Sequence, residues 1–421
     1  MTLATSSLRD PADQANDGAR SPEWRVGWPV VIGTALGLGT GHSLYNFVSS
    51  LFVLPLSNEF GWTRGEIATA TAAGLVGVFA APLIGRLADR YGVRPVITLS
   101  IIGLALAYAA LASMQGQLYV FYISIALLGI SGLGTTGITY TRVIVGWFER
   151  SRGFALGVSL TGVSLFAAFV PPLLSALIGE SGWRAGYLLL ASMALLIGLP
   201  AMLALVRERP SISLKVKTTT PTPWRAIFTA PPFWLLLIGM IAINVPGNGM
   251  LGQLQPLLTD RGLGMQQAAL MLTVYAISVL VGRLVLGYLL DRISAPVISA
   301  ISVTLPAIGA AALIGDSTTI LTASIAVALL GLSQGVEMDL TAFFIARFFG
   351  MHHYSMLFAA IISGLVIANA TGALMFGRIY DATGSYDTAL AIGTALFVIG
   401  GGCILALRWC KPSGTFAHDD A

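Results

Sequence analysis

Polar residues recur at helical spacing within the first long apolar segment of the chain. They are His42, Tyr45, Asn46 and Ser49, at spacings of i, i+3, i+4 and i+7. Such spacing places all of them on one face of a helix. Because polar groups in hydrocarbon are costly unless they face water or pair with one another, we expect this face to line an aqueous cavity. The alternative is hydrogen bonding between helices that only holds a bundle together.

A second polar stripe occurs 202 residues further along the chain. It contains Asn244 and Asn248, with Gln255 further along, and Asn248 is the equivalent of Asn46 at that offset. Two stripes at matching places favour one cavity shared by two halves of the chain, in which these asparagines contact a ligand.

Arg283 is the candidate anchor for an anionic ligand. It precedes Asp291 by eight residues, which is about 12 Å along a helix. Its equivalent at the 202-residue offset is Ala81, so the repeated scaffold does not require an arginine here. A guanidinium stays charged at such depth, and its fork of donors matches a carboxylate. The alternative is a permanent ion pair with Glu337 or Asp339.

Glu337 and Asp339 are candidates for proton coupling. Residues two apart on a helix point about 200° from each other, so the two carboxylates cannot both face one cavity. A carboxyl group in hydrocarbon favours its neutral form, which suits a proton carrier, whereas a neighbouring arginine would keep it ionised. The sequence slightly favours Glu337, with His42 as its rival because imidazole titrates near neutral pH. Arg142 could add a second positive charge for substrate binding.

The composition indicates which elements must position these groups. Of the 421 residues 56% are hydrophobic and 10% are charged, and the mean hydropathy is +0.82. Soluble domains have about 25% charged residues, and a membrane-spanning helix needs about 20 apolar residues. Apolar segments of that length follow one another along the chain, which predicts an all-α polytopic membrane protein with twelve transmembrane helices. The predicted spans are approximately 26–56, 65–83, 95–114, 118–145, 153–178, 186–206, 233–258, 266–290, 296–314, 318–346, 355–376 and 389–407.

The positive charges are distributed unevenly between the loops. If the N-terminus is cytosolic, sixteen of the 23 Lys and Arg residues lie inside and four lie outside, namely Arg64, Arg184, Arg261 and Arg378. This bias predicts a multi-pass protein of the cell membrane (inner or plasma) with both termini in the cytosol. The isoelectric point near 9.1 then reflects topology, and we expect the lipid bilayer, not nucleic acid, as a partner.

An internal repeat divides the chain into two halves. The pattern GxLxDR of Gly85 to Arg90 recurs 202 residues later, from Gly287 to Arg292. Six spans in each copy give both copies the same orientation, an arrangement found in one class of secondary transporters. The predicted domains are a disordered cytosolic tail (1–22), an N-terminal six-helix bundle (23–206), a cytosolic linker (207–232), a C-terminal six-helix bundle (233–408) and a second cytosolic tail (409–421).

The loop GRLADRYGVR, from Gly85 to Arg94, resembles the signature between spans two and three of the major facilitator superfamily. Four further stretches are similar to the branch that holds monocarboxylate transporters and oxalate:formate antiporters: EFGWTR (59–64), WFERSRGFALG (147–157), GWR (182–184) and GRIYDATGSY (377–386). The resemblance implies the major facilitator fold, a cavity lined by spans one and seven, and an arginine in span eight that binds carboxylate. GRLVLGYLLDR (282–292) matches that last pattern and places the role on Arg283.

The charged pairs of the repeated loop, Asp89 with Arg90 and Asp291 with Arg292, lie at predicted helix ends. Helix dipoles favour a carboxylate near the N-terminus of one helix and a guanidinium near the C-terminus of its neighbour. These pairs are therefore candidates for gating, because they could hold the two halves together in one state and release them in another. A solvated loop is the alternative.

Span eleven departs from the pattern of the oxalate:formate antiporters. The resemblance implies a lysine there as a second cation, but the stretch 364–372 has none and offers Asn369 instead. One main arginine suits a monocarboxylate better than a dianion.

These features predict a secondary active transporter of small organic anions, most simply a proton-coupled monocarboxylate symporter that works by alternating access. An anion exchanger is the alternative, and drug efflux or a non-transporting membrane sensor is less favoured. The chain has neither metal-ligand spacing nor a nucleophile with a nearby base, so we expect no enzymatic activity and no cofactor. The expected partners are a small organic acid, protons and the bilayer, and the expected functional unit is the monomer.

Overall fold

The computed structural model describes residues 22–73, 76–149, 151–208, 224–290, 294–350 and 354–410. Within these residues nearly the whole backbone is helical. We number the helices that cross the bundle as spans 1 to 12 in chain order.

The N-terminal half contains spans 1 to 6, several of which are interrupted. Span 1 comprises Pro22–Gly39, His42–Val48, the 3-10 segment Ser49–Phe52 and Val53–Phe60. Span 2 comprises Arg64–Ala73 and Val76–Tyr91, span 3 is Val93–Ser113, and span 4 comprises Leu118–Gly132, the 3-10 turn Leu133–Thr135 and Gly137–Trp147. Spans 5 and 6 follow as Arg152–Met193, the π-helical turn Ala194–Gly198 and Leu199–Leu205.

The C-terminal half begins after a short helix, Trp224–Thr229. Span 7 comprises Pro231–Gly252 and Leu254–Asp260, span 8 is Met265–Leu290, and span 9 is Ala295–Ala312. Span 10 is Ile320–Phe349, span 11 is Tyr354–Thr383, and span 12 is Asp387–Ala406 with the 3-10 turn Leu407–Trp409.

A glycine separates spans 5 and 6. Gly182 has φ 81° and ψ 167° inside an otherwise helical stretch, a conformation that glycine adopts without steric penalty. Length and composition identify nine membrane-crossing stretches among the described residues, and one of them, Arg152–Leu205, is 54 residues long. That stretch contains two spans, and the interrupted spans 1 and 2 are not among the nine. The described helices therefore account for twelve spans.

Successive spans run in opposite directions, so both ends of the described chain, Pro22 and Cys410, lie at one face of the bundle. We call it the terminal face and the opposite one the far face. The far face carries the loops that follow spans 1, 3, 5, 7, 9 and 11. The distribution of positive charge predicts that the terminal face is cytosolic.

The breaks in spans 1 and 4 face each other. The backbone N–H of His42 donates to Thr135 Oγ1 at 2.9 Å, and that hydroxyl donates to the carbonyl of Gly132 at 2.7 Å. A Cβ on Gly41 would lie 2.7 Å from the carbonyl oxygen of Thr135, so the close approach requires glycine. Backbone groups freed by a break inside a membrane need partners within the protein, and here Thr135 at the break in span 4 supplies one for the backbone of His42 at the break in span 1. This contact fixes the position of His42 and of the polar stripe that follows it.

The two halves pack through span 2 against span 11 and through span 5 against span 8. At the first crossing, a Cβ on Gly377 would lie 2.8 Å from the carbonyl oxygen of Arg64 and 2.9 Å from Cβ of Ala68. At the second, Thr273 Oγ1 donates to the carbonyl of Ala168 at 2.6 Å. Small residues allow helix backbones to approach closely in a membrane, and these crossings join the halves in the part of the bundle nearer the far face.

Candidate functional site

A cavity of about 230 Å³ lies between the two halves. Spans 1, 2, 4 and 6 line it from the N-terminal half, and spans 7 and 11 line it from the C-terminal half. Its polar lining residues are His42, Tyr45, Asn46, Ser49, Thr71, Tyr187, Asn248, Gln253 and Asn369. The structure therefore brings the whole polar stripe of span 1 together with Asn248 and Asn369 at one cavity.

The N-terminal wall of the cavity is largely aromatic. The rings of Phe52 and Tyr187 stack with their centroids 4.0 Å apart, and the ring of Tyr45 lies 6.1 Å from that of Tyr108. The Nδ1 atom of His42 is buried and has no hydrogen-bond partner among the described residues. This wall thus offers a flat apolar surface to the carbon skeleton of a ligand, beside an unpaired imidazole nitrogen.

A chain of amides leads from the cavity to a buried carboxylate in the C-terminal half. Asn248 donates through Nδ2 to Asn369 Oδ1 at 2.6 Å and to Asn244 Oδ1 at 3.2 Å. Asn244 donates in turn to Glu337 Oε1 at 2.8 Å, and Gln334 donates to the second carboxylate oxygen. Glu337 is only 2% exposed. Asn244 is not a lining residue of the cavity; it connects the lining residue Asn248 with the carboxylate of Glu337.

Arg283 lies outside the residues that line this cavity. Its Nε atom is 3.9 Å from Asp339 Oδ2 and 3.4 Å from the carbonyl oxygen of Gly335. The side chains of Arg283 and Asp339 are 37% and 54% exposed. The ion pair that the sequence left as an alternative is therefore present, with Asp339 and not Glu337 as the partner. Contact between Arg283 and a substrate stays a prediction.

Arg142 and the first predicted gating pair, Asp89 and Arg90, lie near the terminal face. Arg142 pairs with Asp89 and so joins span 4 to span 2 inside the N-terminal half. The guanidinium of Arg90 lies over a neighbouring tyrosine ring at 5.3 Å from its centre. Asp291 and Arg292 are outside the described residues. The substrate contact of Arg142 and the gating role of these pairs stay predictions.

A cluster that the sequence did not predict joins the two halves at the far face. Arg64 of span 2 donates to Asp260 at the end of span 7 and to the hydroxyl of Tyr386 just before span 12. Asp381 accepts hydrogen bonds from the backbone N–H groups of Arg64 and Gly65. The sequence did contain one indication of this cluster: Arg64 lies on the side with few positive charges, and a buried arginine needs acidic partners.

The cavity combines neutral hydrogen-bonding groups, aromatic surface and a nearby buried carboxylate. Amides and hydroxyls bind carboxylate or hydroxyl oxygens, and aromatic rings pack against carbon skeletons. In the described ranges, no three His, Cys, Asp or Glu side chains converge as a metal ion would require. The arrangement suits reversible binding of a small organic molecule close to a buried carboxylate.

The family model described as Major Facilitator Superfamily matches residues 34–365. The chain belongs to the major facilitator superfamily. Monocarboxylate transporter 13 of Rattus norvegicus is 27% identical over 408 residues, which cover 92% of this chain and 90% of that protein. Monocarboxylate transporter 11 of Homo sapiens is 24% identical over 417 residues, which cover 94% of this chain and 86% of that protein.

Two solved transporter structures share the fold of this major facilitator protein. A D-xylose–proton symporter aligns with a TM-score of 0.71 at 14% identity and covers 91% of this chain and 98% of its own. A bacterial homolog of the human lysosomal transporter Spinster, inward-facing and unoccupied, aligns with a TM-score of 0.65 at 16% identity and covers 91% of this chain and 93% of its own. The likeness confirms the predicted all-α architecture of twelve helices in two repeats, and this superfamily member is a multi-pass membrane transporter.

Proposed function

We propose that this transporter carries small monocarboxylates together with protons, by exposing the cavity alternately to the two sides of the membrane. The observation that carries the proposal is the buried carboxylate of Glu337, which amide hydrogen bonds connect to a cavity between the halves. Both relatives described above are named monocarboxylate transporters, which supports the same substrate class.

Arg283 is proposed to bind the carboxylate of the substrate. Its ion pair with Asp339 is 3.9 Å long and partly exposed, and such pairs contribute little. A substrate carboxylate that accepts two parallel N–H bonds from the guanidinium would make a stronger contact and replace Asp339. Arg283 does not line the cavity in this structure, so its contact with the acid is proposed for another state of the transport cycle. The amides of Asn46, Asn248 and Asn369 are proposed to bind polar groups of the acid in the cavity. Arg142 is the second candidate cation, already paired with Asp89.

Glu337 is proposed to carry the proton. Asn244 and Gln334 donate to its two oxygens, an arrangement that fits the ionised group. A protonated carboxyl group donates one hydrogen bond itself, so protonation favours turning one of these amides, whose oxygen can then accept that bond. If Asn244 turns, its hydrogen bond with Asn248 changes, and Asn248 faces the cavity. His42 and Asp339 are the alternative proton sites.

The remaining features of the proposal follow from the topology. The terminal face is placed in the cytosol, which gives a cell-membrane protein with both termini inside. The six-helix halves 23–206 and 233–408 would rock about the cavity, with 207–232 as the linker between them. Because one chain supplies both walls of the cavity, a monomer is sufficient for transport.

Proteoliposomes with an empty lumen and an imposed pH gradient test the proposal with labelled lactate and benzoate. We expect saturable uptake that accelerates when the outside is acidic. Glu337→Gln should retain exchange of internal for external acid but lose the acceleration by the gradient. Arg283→Gln should lose transport in both assays, because no cation replaces the guanidinium.

Asp339→Asn is the matched control, since it removes a carboxylate from the same helix two residues away. It should keep the response to the gradient. If uptake requires the organic acid inside the liposomes and does not respond to the pH gradient, the protein is an anion exchanger and not a symporter. Full transport by Arg283→Gln would refute the proposed binding of the substrate carboxylate by Arg283. If only Asp339→Asn or only His42→Gln loses the response to the pH gradient, that residue and not Glu337 is the proton site.

A further inference from the structure

Arg64 connects the two halves of the transporter at the far face. Its guanidinium donates two hydrogen bonds to the carboxylate of Asp260, at 2.5 and 3.0 Å, and one to the hydroxyl of Tyr386 at 2.8 Å. It also lies 3.7 Å from the centre of the Tyr380 ring. Arg64 belongs to span 2, whereas all of these partners belong to the C-terminal half. Because Arg64 is only 8% exposed, parting the halves here must break a largely desolvated charged contact.

Asp381, in the C-terminal half, binds the backbone at the start of span 2. Its two carboxylate oxygens accept from the backbone N–H groups of Arg64 at 3.0 Å and Gly65 at 2.8 Å, where a helix of span 2 begins. A carboxylate is favoured at the N-terminus of a helix, and a Cβ at position 65 would collide with it. We call this set of residues the far-face gate: Arg64, Asp260, Asp381 and Tyr386.

Gln253 connects the far-face gate to the cavity. The hydroxyl of Tyr386 donates to Gln253 Oε1 at 3.0 Å, and Gln253 is a buried lining residue of the cavity. It stands where span 7 is interrupted, between the helix that ends at Gly252 and the one that begins at Leu254. A continuous series of hydrogen bonds thus runs from Arg64 through Tyr386 to Gln253. Among the described residues no group accepts from Gln253 Nε2, so its donors are available to a ligand.

The donor-to-acceptor direction of these hydrogen bonds determines how a bound ligand affects the contact between the halves. Hydrogen bonds in series strengthen one another in a medium of low dielectric. An oxygen that accepts from Gln253 Nε2 polarises the amide, so Oε1 becomes a better acceptor for Tyr386. The hydroxyl of Tyr386 in turn becomes a better acceptor for Arg64. An anionic or hydroxyl oxygen in the cavity would therefore stabilise the contact between the halves.

We propose that Gln253 contacts an oxygen of the bound organic acid and so keeps the far-face gate closed over an occupied cavity. The identity of the ligand rests on the proposed function, whereas the gate itself does not. A ligand without an acceptor oxygen near Gln253 would enter the cavity without this effect. Gln253 is thus a substrate-contact residue that reports the occupancy of the cavity to the gate.

Distances between spin labels across the far face test the proposal in full-length protein in nanodiscs. Glu180→Cys and Asp316→Cys place the labels on exposed positions near the far face, one in each half and outside the gate, after Cys403→Ser and Cys410→Ser. Asp260→Asn should raise the ratio of open to closed populations roughly tenfold without ligand, because it weakens a charged hydrogen-bonded contact. Glu59→Gln is the control, since Glu59 pairs with Arg184 inside one half, and it should leave the distances unchanged.

The link through Gln253 is tested with lactate and benzoate as probes. Each should raise the ratio of closed to open populations of the parent protein about twofold or more. Gln253→Leu should still bind the acids in a calorimetric titration but lose this response. Gln253→Glu keeps an acceptor for Tyr386 while removing the Nε2 donors, so it should keep the gate closed without ligand and also lose the response.

The outcomes separate the gate, the link and the proposed function. Unchanged distances in Asp260→Asn would refute the far-face gate. A ligand response that persists in Gln253→Leu would refute the link. If neither acid binds the parent protein, the proposed function and the proposed contact of Gln253 with the ligand are both refuted. The spin-label distances in Asp260→Asn still test the far-face gate in that case.

Discussion

The two crossings that join the halves near the far face are equivalent in the repeat but differ in chemistry. Arg64 begins span 2, and its equivalent 202 residues later is Gln266, near the start of span 8. Arg64 donates to a carboxylate and a phenol of the other half. Gln266 donates through Nε2 to the backbone carbonyl of Pro172 at 3.2 Å. The repeat thus places a donor at both crossings, but only the crossing of spans 2 and 11 uses a charge there.

This difference has a consequence for how the crossings open. Hydrogen bonds to charged groups contribute about 1.5–3 kcal/mol, and neutral ones about 1 kcal/mol. A charged contact also depends on the pairing of particular residues, whereas a bond to a backbone carbonyl tolerates small displacements of one helix along another. We therefore expect spans 2 and 11 to separate as a switch and spans 5 and 8 to keep contact.

A second comparison concerns ties within each half at the far face. Glu59 pairs with Arg184 at 2.7 Å, and Arg261 pairs with Asp387 at 2.5 Å. Glu59 and Arg261 are equivalent at the 202-residue offset, so the acidic and basic partners have changed places. Coulomb attraction is unchanged when the two charges are exchanged. In both halves an ion pair therefore connects the end of the first span with the start of the last one, although the residues that form it differ.

The largest effect is expected from Gly377→Leu, which blocks the crossing of spans 2 and 11. A Cβ there would lie 2.8 Å from a backbone oxygen, and backbone cannot move aside as a side chain can. Overpacking of this kind costs about 1–3 kcal/mol, so transport in proteoliposomes should fall by roughly tenfold to a hundredfold. Gly402→Leu is the control, because a Cβ at Gly402 meets open space, and it should transport normally. Normal transport by Gly377→Leu would show that the close crossing is not needed.

Arg64→Gln should have the next largest effect, because it gives the charged crossing the residue type of the neutral one. The loss of the charged hydrogen bonds should raise the open population at the far face by roughly tenfold or more, measured with the same spin labels. Arg184→Gln, which removes an arginine paired within one half, serves as the control and should leave the distances unchanged. Equal spin-label distances in Arg64→Gln and the parent protein would show that the charged crossing does not control opening more than the neutral one.

Gln266→Ala should have a smaller effect. It removes one neutral hydrogen bond to a backbone carbonyl, about 1 kcal/mol, so the open population should change by no more than about fivefold. Thr273→Val at the same crossing should behave alike, since its hydroxyl also donates to a carbonyl. A shift as large as that of Arg64→Gln would mean that both crossings act as gates.

The smallest effect is expected from Glu59→Gln. It removes one partly exposed ion pair with Arg184 within a half, which contributes about 1 kcal/mol or less, so the melting temperature should fall only slightly. The spin-label distances should not change, because this pair does not join the two halves. A widened far face in this variant would place the gate outside the contacts of Arg64.

Local periodicity made part of the site predictable. The stripe from His42 to Ser49 lines the cavity because side chains three or four residues apart share a helix face. Glu337 and Asp339 separate into a buried and an exposed carboxylate for the same reason. Arg283 shows the limit: its charge and depth could be deduced, but its pairing with Asp339 depends on how spans 8 and 10 pack. Sequence spacing does not rank partners on different helices.

The sequence by itself determined that this protein lies in a membrane, that it has about twelve spans in two equivalent halves, and which polar residues share a helix face. These properties depend on composition and periodicity within short segments, which act before helices meet. The tertiary structure alone decided which charges meet. Arg64 and Asp260 are 196 residues apart, and Tyr386 and Gln253 are 133 residues apart. Such contacts exist only where packed helices from both halves bring the side chains within hydrogen-bonding distance, and no local pattern encodes that distance.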